Sequence, residues 1–127
     1  MAAHAASPAE AVRGLIALHV DFALTEPELI LIDDRDRSHL PPAALDRMRR
    51  TQREYVAIWV DAVGRAAPSG DPVVDRTRVH AVLGLINSTP RAGRRAGREV
   101  TRAVVTGMAL SALGLRDVRD GDTGPGP

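Results

Sequence analysis

No cysteine occurs in the chain, which excludes disulfide staples, thiolate-bound metals and cysteine nucleophiles together. Aromatics are almost as scarce: Phe22, Tyr55 and Trp59 are the only three, so the core has to be aliphatic. Lysine is missing altogether, and every basic residue is Arg; with so much Ala and Val this reads as the coding bias of a GC-rich genome rather than a special use of guanidinium. No apolar run approaches the roughly 18 to 20 residues that a membrane helix needs. The start, "MAAHAASPAE", lacks the basic-then-apolar order of a signal peptide, so the expected location is cytoplasmic, with no membrane partner. A dominant charge is absent as well. With 17 basic and 16 acidic residues the net charge is +1, which gives no overall electrostatic footprint of a nucleic-acid binder.

What is present is a chain of 127 residues, long enough for one core and too short for two. Pro and Gly divide it into helical pieces. "SPAE" at Ser7–Glu10 supplies an N-cap Ser, Pro at the first helical position and Glu two residues on, so a helix is expected from about Pro8 to Leu24. "TEPE" at Thr25–Glu28 repeats the signal and opens a shorter piece, "ELILIDDRDR"; its apolar alternation also fits a strand, but the capping box favours helix. From Pro42 to about Ala67, Leu45, Met48, Gln52, Tyr55, Trp59 and Val63 recur at helical spacing. Asp71 and Pro72 start the next helix, which ends near Asn87–Pro90. The last is expected over about Arg98–Leu113. Residues 1–6 and the tail 116–127, which ends "GDTGPGP", are expected to be disordered, leaving 7–115 as one all-α domain of about five helices.

"HAVLGLIN", within the fourth of these helices, is apolar around most of its circumference. A helix with one apolar stripe covers one core, whereas one apolar on two sides has to be covered twice. The last helix is similar: Val100, Val104, Met108 and Leu115 lie near one stripe, and Ala103, Gly107, Leu110 and Gly114 near another. The expectation is a homodimer in which these two helices from each subunit form a four-helix bundle about a two-fold axis. The interface residues are then Val79, Leu83, Ile86, Val100, Val104, Gly107, Met108 and Ser111. A monomer with one central buried helix is the alternative.

"RTQREYVAIWVDAV", the break, "RVHAVLGLINSTPRAG" and a final apolar helix resemble the C-terminal ligand-binding and dimerisation domain of TetR-type transcriptional regulators, in particular a subgroup in which an "LLNSTP"-like sequence closes the penultimate helix. The resemblance covers roughly Ser7–Leu115. It implies a dimer bundle from the last two helices, as argued above, and earlier helices around a mainly apolar cavity for a small effector. Regulators of this type carry an N-terminal helix-turn-helix domain, and this chain starts about where the sensor domain starts. The expectation is a sensor domain without its DNA-reading half, not binding DNA alone and able to form mixed dimers with a full-length relative.

Tyr55 and Trp59, one turn apart, offer broad surfaces with a hydroxyl and an indole donor, as ligand pockets use. Phe22, Leu24, Ile30, Ile32 and Met48 fit an apolar wall, and all of these equally fit a filled core. Thr77, His80, Gly84 and Asn87 lie along one line of the fourth helix; polar groups there need partners, and His80 and Asn87 are candidates for touching an effector, or for local bonds at the helix end and across a dimer. The candidate ligand residues are thus Phe22, Met48, Tyr55, Trp59, His80 and Asn87.

"DDRDR" at Asp33–Arg37 interleaves its carboxylates with guanidinium groups and reads as a solvated helix end. The four His residues show no metal-ligand spacing, so no metal and no cofactor is expected. "RAGRRAGR" at Arg91–Arg98 is the one concentrated positive charge; it suits the phosphates of an acyl-coenzyme A effector or of nucleic acid, or a solvated loop, and the lack of nearby aromatics weakens a single-strand nucleic-acid surface. No GxSxG elbow and no phosphate-cradling loop after a strand is present, so no catalytic residue is nominated. A helical interaction module without a small-molecule pocket is the alternative function.

Overall fold

A computed structural model of the chain describes residues 7–27, 39–92 and 95–115. Among them are four long helices and one isolated helical turn: α1 (Pro8–Thr25), α2 (Pro42–Ala66), α3 (Pro72–Asn87), the turn Thr89–Ala92, and α4 (Arg98–Ala112). The all-α expectation holds, and the expected bounds lie within a residue or two of those found. The second expected helix, "ELILIDDRDR" with Ile30, Ile32 and the Asp33–Arg37 cluster, falls on residues 28–38, outside the described residues.

The helix starts follow the capping chemistry. Ser7 Oγ accepts from the Glu10 amide at 3.1 Å ahead of α1, and Asp71 Oδ1 accepts from the Val73 amide at 2.9 Å ahead of α3; each satisfies an amide that has no intrahelical partner. The end of α4 is a Schellman turn: Leu115 N–H donates to Leu110 C=O at 2.8 Å and Gly114 N–H to Ser111 C=O at 3.0 Å, with Gly114 at φ +74°. That left-handed conformation favours glycine, so Gly114 has a backbone role.

Each helix packs on the next, and α4 closes back on α1, so the four form a bundle. The core is aliphatic apart from Trp59: Val12, Ile16, Val20 and Ala23 of α1, Val63 of α2, Val79, Val82, Leu83 and Ile86 of α3, and Val105 and Ala109 of α4 meet around it. One polar clamp holds the end of the bundle. Arg78 donates to Ala67 C=O at 2.6 Å, to Leu113 C=O at 3.0 Å and to Asp75 Oδ1 at 3.2 Å. A guanidinium at the carbonyl ends of α2 and α4 opposes the negative end of both helix dipoles, and it is also what permits Asp75 to be buried.

Val79, Leu83 and Ile86, expected to meet a second subunit, are buried within the single chain. The bundle leaves room for one apolar side of α3, and these residues fill it together with Val82. The outward side carries Thr77, His80, Ala81 and Gly84, all exposed. On α4 the division is different. Thr101, Val105 and Ala109 turn inward, while Val100, Val104 and Met108 are each more than half exposed and Gly107 and Ser111 lie open beside them.

Candidate functional site

His19 gathers the aromatic side chains of the protein around itself. It sits on α1, half-buried, in a run that is otherwise mainly apolar, "LIALHVDFAL". Nδ1 stands 2.7 Å from the Tyr55 hydroxyl of α2 and Nε2 2.8 Å from Asn87 Oδ1 at the end of α3. Asn87 presents a carbonyl oxygen, so Nε2 carries the proton; Nδ1 is then an acceptor, and Tyr55 O–H donates to it. One neutral imidazole thereby ties three helices together.

The rings are packed as closely as the polar atoms. The His19 centroid lies 5.6 Å from that of Tyr55 in a stacked arrangement, 6.1 Å from that of Trp59 edge-on, and 6.2 Å from that of Phe22; Tyr55 and Trp59 meet edge-on at 6.4 Å. These spacings and tilts are those that aromatic pairs favour. The cluster has a depth gradient. Trp59 is fully buried at its inner end, Tyr55 and His19 are half-buried, and Phe22, 39% exposed, and Asn87 face solvent.

Burial holds the His19 imidazole below its usual range, only partly opposed by its bond to Asn87, because the charged form loses hydration. Burial likewise pushes the Tyr55 phenol above its usual range, and a side-chain hydrogen bond with the neighbouring Trp59 indole acts in the opposite direction. Both groups are therefore kept neutral at ordinary pH, as the donor and acceptor assignment requires.

Four of the six candidate ligand residues, Phe22, Tyr55, Trp59 and Asn87, are thus brought together. Met48 lies two turns before Tyr55 on α2 and is half-buried. His80 is exposed two turns before Asn87 on α3, away from the ring cluster. The organising residue, His19, is not among the six. The reasoning applied to His80, that an imidazole on an apolar helix needs partners, applies more strongly to His19, whose neighbours on α1 are more apolar. Arg95 and Arg98 of the basic loop are exposed. Among the described residues no group of three or more His, Asp or Glu side chains is placed to hold a metal ion, and no helix is long and apolar enough to cross a membrane.

A bundle of this order, with an aromatic and polar cluster between its first three helices and an apolar stripe outside its last, agrees with a family model described as tetracyclin repressor-like, C-terminal domain, which matches residues 5–115. The chain belongs to that family. Tetracyclin repressor-like C-terminal domains are parts of transcription regulators and typically dimerise, so the general role of the chain is that of a regulator's effector-binding and dimerisation domain. A comparison with curated proteins finds no match.

Proposed function

We propose that this tetracyclin repressor-like domain senses a small, mostly apolar effector bound between α1, α2 and α3, and that it works as a homodimer through the outward face of α4. The observation that carries the reading is the His19 cluster. Three helices meet there through two side-chain hydrogen bonds and four ring contacts, graded from a solvent-facing Phe22 to a buried Trp59. An apolar molecule entering beside Phe22 meets aromatic walls with few, well-placed polar groups, as ligand sites commonly provide. Met48 extends the wall along α2.

The mechanism is a population shift. An effector that separates Tyr55 or Asn87 from His19 favours a packing of α1 and α2 that differs from the free one, and α3, which carries Asn87, passes the change to the dimer helices. An attached DNA-binding domain is repositioned by the same movement. The dimer stripe consists of Val100, Val104, Gly107, Met108 and Ser111 on α4, beside the small outward residues Ala81 and Gly84 of α3. Gly and Ala allow the helices of two subunits to approach closely, and Val and Met supply the area.

The effector site is tested with the neutral apolar dye N-phenyl-1-naphthylamine. Trp59 is the one tryptophan, so energy transfer from it reports dye bound nearby. The expected result is saturable transfer at one dye per chain, lost in Phe22→Asp. Absence of saturable transfer contradicts the reading and leaves the interaction-module alternative.

A further inference from the structure

The apolar period of α2 hides a dense run of charge. "RMRRTQR", residues 47–53, sets Arg47, Arg49, Arg50 and Arg53 on the first half of the helix, all exposed, with Met48 and Gln52 half-buried between them. The contacts of the bundle fix where this run lies. His19 bonds to Tyr55 and Asn87, and Asp21 pairs with Arg102, so these residues share one level; Arg78, with Ala67 and Leu113, marks the opposite end. The part of α2 before Tyr55 and the part of α4 before Arg102 therefore extend past the same level. Arg98 at the start of α4 and Arg95 just ahead of it, both exposed, join the four arginines of α2 at one end of the bundle.

None of these six guanidinium groups forms an ion pair with a described residue, although Glu26, Asp46, Glu54 and Glu99 lie at the same end. Elsewhere the pattern is different: Arg65, Arg78 and Arg102 are paired with Asp61, Asp75 and Asp21. The fold gains nothing from the unpaired group. Arg49 and Arg53, one turn apart on α2, are like charges at a spacing where they weaken a helix. Arg98 opens α4 at the positive end of its dipole, where a cation is unfavourable. Cations gathered against local stability, and left without internal partners, are free to meet an anionic partner.

We propose that this end of the bundle docks an acidic polypeptide segment, whose carboxylates are gripped by the guanidinium forks in two-pronged hydrogen bonds. The charge pattern selects this partner over nucleic acid. Carboxylates lie among the six arginines, and the whole chain carries only +1, so the long-range attraction and the dense phosphate neutralisation that duplex DNA relies on are both weak. The three aromatic side chains are engaged in the His19 cluster, which leaves no ring among the arginines to stack unpaired bases. A short run of Asp or Glu, each side chain free to choose its arginine, fits a surface of mixed sign.

The probes are fluorescein-labelled octaglutamate and a short labelled duplex DNA, each titrated with the full chain at low salt and followed by anisotropy. Two variants remove the same charge from different places: Arg49→Gln, Arg53→Gln at the proposed surface, and Arg65→Gln, Arg76→Gln away from it. All four side chains are exposed, so both variants should keep the helical circular dichroism of the wild type. The expected result is saturable binding of octaglutamate, weakened about tenfold by the first variant and within about twofold of wild type in the second, with the duplex binding more weakly than the peptide. Equal losses in the two variants mean that net charge alone attracts the peptide, and overturn the proposal. Tighter binding of the duplex assigns the surface to nucleic acid instead, and no binding of octaglutamate leaves a merely solvated face; either result also overturns it.

Discussion

His19 Nε2 and Asn87 Oδ1 stand 2.8 Å apart across 68 residues of chain, and burial disfavours the charged form of the imidazole held between Asn87 and Tyr55. This makes the stability of the fold depend on pH in a definite direction. The folded imidazole titrates below the ordinary value of about 6.5, so as pH falls through that value the unfolded chain takes up a proton that the folded chain refuses. Stability is therefore full above about 6.5 and falls as pH drops toward the lower folded value, below which it changes no further on this account. Urea unfolding at a series of pH values between 8 and 4 should show the decline, and His19→Gln should flatten it; equal slopes for the two proteins contradict the assignment.

Tyr55 gives the opposite window. It is the one tyrosine, so tyrosinate absorbance reports it alone. Burial raises its pKa above the ordinary value of about 10; the unfolded chain ionises first, and stability falls as pH rises beyond about 10. The absorbance midpoint of the native protein should lie above that of the urea-unfolded protein, and in His19→Leu, where the hydroxyl loses its acceptor, it should move. A native midpoint at or below the unfolded one would count against the burial of the Tyr55 phenol.

Arg78 carries the far end of the bundle. Arg78→Met leaves a buried Asp75 without its ion partner and two helix-end carbonyls without a donor, so a loss of about 2 to 3 kcal/mol is expected in urea unfolding. Arg78→Lys should recover only part of it, because an ammonium cannot span three acceptors as a planar guanidinium does. A methionine variant as stable as the wild type would show that the clamp is incidental.

The sequence announces the helices through local chemistry: Ser7, Asp71 and the prolines at 8, 42 and 72 mark starts, and Leu45 to Val63 shows its period. Which apolar side faces which neighbour is not local information. Val79, Leu83 and Ile86 look alike to Val104 and Met108 in a linear reading, yet the first three fill the bundle and the other two stand outside it; four helices set that choice jointly. The candidate site divides in the same way. Tyr55, Trp59 and Phe22 are visible because aromatics are so rare here, and Asn87 because it is polar in an apolar run. His19 escapes, since its meaning comes from Tyr55 and Asn87, 36 and 68 residues away. Arg78 and Asp75 draw no notice in the sequence, because their role comes from the ends of α2 and α4 that the fold places beside them.

The most direct test of the account is sedimentation equilibrium of the chain alone, beside a Val104→Glu, Met108→Glu variant. Both residues lie on the outward stripe and neither contributes to the buried core, so the variant should keep its helical circular dichroism. The account predicts two chains per particle for the wild type and one for the variant. A wild type that remains a single chain at its highest soluble concentration, or a variant that still pairs, contradicts it.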